Sequence, residues 1–270
     1  MKDAEGTPRI AIGVEYDGSR YAGWQRQAEA PSVQAAVEQA LSRVADHPVE
    51  VTCGGRTDAG VHALGQVAHF NSPARRDPRS WVLGANTHLP GDIALLWASA
   101  VPSDFHARYS ALGRTYCYVI LNRPSRPAID RHRVCWTHQP LDAEAMHDAA
   151  QCLLGEHDFS AFRAAECQSR TAVRRLEHIS VARRGDRVFL EVSANAFLHH
   201  MVRNIAGTLL AVGRGERPGA WVAEALAGRD RRAAGITAPA GGLYFVGIRY
   251  PTVFRLPVAR GASWAMIPSA

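Results

Sequence analysis

The order in which hydrophobic periodicities follow one another in the first hundred residues limits the fold more than any other feature. Arg9–Glu15 alternates, with Ile10, Ile12 and Val14 on one face, which predicts a strand. Asp17-Gly18 then signals a turn. Val33, Ala36, Val37, Ala40, Leu41 and Val44 fall at helical spacing, with Ser32 as an N-cap and Pro31 and Pro48 as brackets. Val49–Cys53 and Gln66–Phe70 predict two strands around a glycine-rich turn. Trp81–Leu89 predicts a short helix and Ile93–Ala100 a buried strand. The outline is β-α-β-β-α-β, a ferredoxin-like arrangement.

A second unit of the same mixed kind follows. Thr115–Leu121 predicts a strand and Leu141–Leu154 a helix, with a loop rich in proline and arginine, Asn122–Arg133, between them. Val173–Ala182 and Arg187–Asn195 predict two strands joined at Gly185. Leu198–Val212 carries a wide apolar stripe of Met201, Val202, Ile205, Ala206 and Leu209, and reads as a helix. Ala220–Ala227 reads as another helix and Leu243–Arg249 as a last strand. Strands and helices mix within each half, so the expected class is α+β, with lobes at residues 1–108 and 109–270.

Composition excludes several classes. No run approaches the roughly 20 apolar residues of a membrane span, and the polar N-terminus MKDAEGTPR lacks the apolar core of a secretory signal. A cytoplasmic protein is expected. The five cysteines show no C-x-x-C spacing and are odd in number, which argues against a disulfide framework and a zinc knuckle. His62, His69, His199 and His200 form no helical ligand pair, so no metal is expected. A net charge of +6 and a pI near 9.4 favour a polyanionic partner, nucleic acid above all. Almost all the positive charge is arginine, which suits phosphates and stacked bases better than lysine does.

The segment with the most chemistry is Gly54-Gly55-Arg56-Thr57-Asp58-Ala59-Gly60-Val61-His62. It sets a carboxylate among glycines, between two predicted strands. By spacing alone a plain turn is the simpler account, because Asp and Gly are ordinary turn residues.

The longer string from Gly55 to Phe70 closely resembles the catalytic motif of the TruA family of tRNA pseudouridine synthases. Further segments resemble that family in the same order: Tyr16-Asp17-Gly18 with Ala22-Gly23-Trp24-Gln25, Phe105-His106-Ala107-Arg108 with Arg114, Tyr116 and Tyr118, Asp158–Phe162, Ala194–Asn204, and Gly242-Leu243-Tyr244. The resemblance spans about residues 9 to 251, leaving the tail after Pro251 outside it. Ala196, where glycine is common, and Thr115 are departures that touch no chemical role.

The resemblance implies two ferredoxin-like, RRM-like lobes with largely antiparallel sheets meeting at a central active-site cleft. It implies that Asp58 is the catalytic nucleophile, Tyr116 the tyrosine on the target base, and Arg203 the partner of the aspartate. Arg56 would occupy the space of the flipped nucleotide and Leu243 would wall the base pocket. It also implies a homodimer that converts uridines to pseudouridine at positions 38–40 of the tRNA anticodon stem-loop, without cofactor or metal. The arginines at 170, 174, 175, 183, 184 and 187, and at 123, 126, 131 and 133, are candidates for RNA contact. Two rivals differ in class. A non-catalytic RNA-binding module needs no aspartate in a glycine-flanked loop, and a glycosidase normally uses two carboxylates where this segment offers one.

Overall fold

The computed structural model describes residues 7–257. The chain forms two compact units. The first contains β1 (Arg9–Tyr16), α1 (Val33–Ala45), β2 (Thr52–Cys53), β3 (His62–Asn71), α2 (Pro78–His88) and β4 (Ile93–Val101). The second contains β5 (Gly113–Asn122), β6 (Cys135–Thr137), α3 (Ala143–Ala150), β7 (Gly155–Asp158), β8 (Val173–Arg184), β9 (Arg187–Ala194), α4 (Met201–Gly213) and α5 (Ala220–Gly228). The last strand, β10 (Leu243–Arg249), begins in the second unit and continues in the first from Phe245.

In the first unit the strand order is β4-β1-β3, with β2 and β10 beside β3. β1 runs antiparallel to both its neighbours and β2 antiparallel to β3. This is the expected β-α-β-β-α-β arrangement. β1 is buried on both faces rather than alternating, because small residues occupy the second face. Ala11 packs with Val67, Val101, Phe105 and Ala107, and Trp97, Ile248, Tyr250, Phe254 and Leu256 cover them. A side chain on Gly13 would strike the Trp97 ring at 2.1 Å.

That cover explains the division of the chain. Leu112 N–H donates to the Arg249 carbonyl at 2.8 Å, and the Tyr250 hydroxyl to the Ala107 carbonyl at 2.5 Å. The first break falls between Leu112 and Gly113, and the described residues from Phe245 onward belong with the first unit. A single cut of the sequence cannot express this return.

The expected strand Val49–Cys53 shrinks to Thr52–Cys53 because side chains of α1 take its backbone groups. Ser42 Oγ accepts the Val49 N–H at 2.9 Å, and the buried Glu38 accepts the Val51 N–H at 3.0 Å. The Gln34 amide donates to Glu38 and to the Val51 carbonyl. Ser32 caps α1 as expected, and Asp77 caps α2.

In the second unit β5, β9, β8 and β7 lie side by side, all antiparallel, with β6 parallel to β5. The order β5-α3-β8-β9-α4 repeats the element sequence of the first unit. α3 begins at Ala143 because Asp142 caps it, and it ends in a 3-10 turn, Gln151–Leu153. α4 begins at Met201, not Leu198, because His200 takes φ +61°, a left-handed conformation that ends helical geometry on its N-terminal side.

Glu38 is the test of this local account. Glu38→Leu leaves the Val51 N–H without its acceptor, a cost of roughly 1–3 kcal/mol, whereas Glu38→Gln keeps an oxygen there. Urea unfolding is expected to show a clear loss for leucine and a smaller one for glutamine.

Candidate active site

Asp58 lies on the loop between β2 and β3, and the backbone of that loop is accounted for almost residue by residue. Gly54 N–H donates to the Val67 carbonyl at 2.7 Å. A side chain at Gly54 would meet Ile248 at 2.2 Å and the Tyr250 hydroxyl at 2.8 Å, so both would have to move to admit one. Gln66, fully buried, pairs with both backbone groups of Gly55, accepting its N–H at 3.3 Å and donating to its carbonyl at 2.5 Å. Arg56 is exposed. Thr57 is buried; its hydroxyl meets the Tyr16 hydroxyl at 2.7 Å and its carbonyl accepts the Trp24 N–H at 3.0 Å. Burial raises the Tyr16 pKa well above the usual phenol value, so this contact stays neutral.

Asp58 is half-buried, and its carbonyl accepts the Val61 N–H at 3.2 Å, closing a turn. Gly60, third in that turn, adopts φ +76°. Its N–H reaches the Tyr21 carbonyl at 3.3 Å. The segment after β1 therefore backs the loop. Gly23, at φ +102°, would place a Cβ 2.6 Å from the Thr57 carbonyl, and one on Gly18 would lie 2.0 Å from that of Val61. His62 Nδ1 accepts the Gly18 N–H at 3.1 Å, and His69 Nδ1 accepts the Ala107 N–H at 3.2 Å. Both histidines serve the backbone.

Tyr116, Arg203 and Leu243 belong to the second unit. Tyr116 stands on β5 opposite Val192, buried, with its ring edge-on to Phe197 at 5.0 Å between centroids. Tyr118, two residues on and so on the same face, is committed through its hydroxyl to the Pro239 carbonyl at 2.8 Å. Arg203 sits in the first turn of α4, half-buried. Its Nε donates to the Ala238 carbonyl at 2.8 Å while the Ala238 N–H returns to the Arg203 carbonyl at 3.1 Å. Leu243, buried, opens β10. His199 and His200 stack with ring centroids 4.0 Å apart on the segment entering α4.

The remaining similar segments are structural supports. Asp158 accepts the N–H and hydroxyl of Ser160 at 2.9 and 2.6 Å, and these hydrogen bonds hold its carboxyl below the usual range. Phe159, Ala161 and Phe162 are fully buried, and the Phe162 carbonyl takes the Asn204 amide at 2.8 Å. Asn195 accepts the N–H groups of Arg175 and Ala196. Thr115, the departure beside Tyr116, pairs its hydroxyl with Ser193 across the strands at 2.8 Å.

The arginine clusters divide. Arg174 is buried, with its guanidinium on the Thr171 and Val173 carbonyls and Ser169 Oγ, so it holds a loop instead of facing RNA. Arg187 pairs with Asp130 at 2.6 Å, and Arg183 reaches Asn122 and the Leu141 carbonyl. Arg126, Arg131, Arg170 and Arg175 are exposed.

The sequence matches the family model described as tRNA pseudouridine synthase over residues 12–110 and 149–251. It is 57% identical over 261 residues to the tRNA pseudouridine synthase A of Methylococcus capsulatus, covering 97% of this chain and 96% of that protein. It is 56% identical to the protein of the same name from Klebsiella pneumoniae over 260 residues, covering 96% of both chains. The Escherichia fergusonii protein of that name is 56% identical over 259 residues, covering 95% of this chain and 96% of the other. The α+β scaffold is thus that of a pseudouridine synthase; this chain belongs to the tRNA pseudouridine synthase family. Arg56, Asp58, Arg203 and Leu243 fall inside the matched stretches, and Tyr116 falls between them.

Two substitutions test how the loop is held. Gln66→Leu keeps the bulk but orphans both backbone groups of Gly55, at about 1–3 kcal/mol for each buried group. Gly23→Ala places a methyl group against Thr57 at a φ that disfavours it. Hydrogen exchange is expected to quicken at residues 54–61 in both variants while β9 and α4 keep their protection.

Proposed function

We propose that the chain is an isomerase that converts uridine to pseudouridine in tRNA, at positions 38–40 of the anticodon stem-loop, with Asp58 as its catalytic carboxylate. The observation that supports this most is the Asp58 loop itself. Its backbone is fastened on every side, and it holds one half-buried carboxylate in a chain more than half identical to proteins named for the activity. A plain turn would not need a fully buried glutamine committed to it.

The reaction breaks N1–C1′, turns the uracil and forms C5–C1′. Nothing is gained or lost overall apart from exchange of the C5 proton, so it balances without an external redox partner. The base must leave the stack first, because its glycosidic bond is out of reach inside a helix. A carboxylate can attack or stabilise the electron-poor C1′, as glycosidases do, and can later accept the C5 proton. In this reading Tyr116 presents its ring to the uracil and Arg203 supplies the cation that accompanies the Asp58 charge. Arg56 fills the gap the nucleotide leaves, and Leu243 walls the base. Exposed arginines such as Arg170 and Arg175 engage phosphates and fix register without reading sequence. The working form is a cytoplasmic homodimer. Among the described residues no helix is long and apolar enough to cross a membrane.

Asp58→Asn separates catalysis from binding. The amide keeps the size of the side chain but is a poor nucleophile and a poor base. Release of tritium from C5-labelled tRNA transcript is expected to fall to background. Affinity by filter binding stays near wild type, because phosphate contacts dominate it. A folded variant that still releases tritium at the wild-type rate would return Asp58 to the status of a turn residue and favour the RNA-binding rival.

The reading also needs no metal. Turnover is expected to survive EDTA followed by exhaustive dialysis, and the stacked His199–His200 pair, two potential ligands in one place, makes this a demanding check. Loss of activity restored by added zinc would overturn it.

A further inference from the structure

We infer that Arg231 is a positioning residue for Arg203, acting through the loop that runs from Arg231 to Ala238; this rests on the reading of Arg203 given above. The loop lies backbone to backbone on α4. A Cβ on Gly207 would fall 1.7 Å from the Ile236 carbonyl oxygen, and one on Gly235 would fall 2.6 Å from the Thr208 Cα. Such closeness needs both glycines.

Arg231 fastens this contact. Its guanidinium donates to the Gly235 carbonyl at 2.8 Å and more distantly to that of Ala234. It also reaches Asn204 Oδ1 at 3.0 Å and Thr237 Oγ1 at 3.1 Å. Asn204, fully buried and adjacent to Arg203, accepts the Thr237 hydroxyl as well, at 2.7 Å. The Thr208 hydroxyl donates to the Asn204 carbonyl and accepts the Gly235 N–H. One planar fork thus ties three points of the loop to the residue beside Arg203, a task to which guanidinium geometry is suited and ammonium is not.

The loop ends at Ala238, whose carbonyl holds Arg203 Nε and whose N–H holds the Arg203 carbonyl. Fixing Nε sets the plane of the guanidinium, and so decides how its remaining edge meets a carboxylate. The hydrogen-bond partners of Arg231 are all neutral groups of its own unit, which distinguishes it from an arginine kept for phosphate.

The test is a kinetic cycle on the full-length enzyme with Arg231→Ala, Arg203→Lys and the double variant, reading tritium release and tRNA KM. Misplaced catalytic groups cost orders of magnitude, so Arg231→Ala is expected to lower kcat by about tenfold or more with KM within about twofold. Lysine has no Nε for Ala238 to hold. In the Arg203→Lys background, adding Arg231→Ala should therefore change kcat by less than about twofold. Equal losses in both backgrounds, a rise in KM with kcat intact, or no effect at all would each overturn the assignment. If Arg231→Ala does not fold, Thr237→Val removes one acceptor of the fork, and the same cycle decides. Wild-type turnover by Arg203→Lys would instead defeat the reading of Arg203, leaving the two failures distinct.

Discussion

A single buried amide holds the loop that carries Asp58 in the first unit. Gln66 projects from β3 and satisfies both backbone groups of Gly55, two residues beyond the end of β2, where the strand pairing has stopped. Buried backbone groups must be paired somewhere, and a chain that leaves a sheet to present a carboxylate gives up the pairing the sheet supplied. Here Gln66 replaces one ladder step, the Trp24 N–H another, and the Tyr21 carbonyl a third. The loop is irregular in path but not in accounting. That allows Asp58 to stand on non-repetitive backbone with a defined position.

The second unit meets the same requirement by a different device. Its arginine sits on a regular helix, so position along the chain is already fixed and what remains is side-chain orientation. That is supplied by a loop laid along α4, admitted by Gly207 and Gly235 and tied by side chains. In both units a glycine lets two backbone segments touch, and a polar side chain then closes the contact. The first unit uses an amide and the second a guanidinium.

Much of this was legible in the sequence, for reasons that differ by element. Both helices of the first unit and most strands of both units follow from periodicity, because apolar residues recur at the spacing of the element, even where, as in β1, small residues bury the second face too. β6 and β7 leave no trace in the sequence pattern. Cys135–Thr137 is three residues long, and Gly155–Asp158 is polar, so neither has a pattern to read. β2 is shorter than the sequence pattern predicts because Val49 and Val51 have strand character, while their N–H groups are taken by Ser42 and Glu38 from a helix earlier in the chain. Asp58 stands out in the sequence through its glycine setting together with the family resemblance. Gln66 stood inside the same string, but nothing local showed that it turns back onto Gly55. Arg231 carried no signal, since its partners lie at Asn204 and along an irregular loop.

The arginines show how one letter conceals different physics. Composition counts them alike, yet Arg163, Arg174 and Arg231 spend their donors on carbonyls and hydroxyls of their own unit. Arg187, Arg214 and Arg232 instead meet carboxylates. These outcomes are not equivalent for a polyanionic partner. A guanidinium bonded only to neutral acceptors keeps its whole charge, and burial weakens the screening that water would give it. One paired with Asp or Glu contributes little beyond short range. Arg174 therefore still adds to the positive field that attracts RNA while its donors hold a loop. Arg187, with similar exposure to the solvent boundary but paired to Asp130, adds almost none. The net charge of +6 is thus an incomplete guide to an RNA-facing surface. The partner of each guanidinium decides whether its charge reaches beyond the protein, and its exposure decides whether it can touch what it attracts.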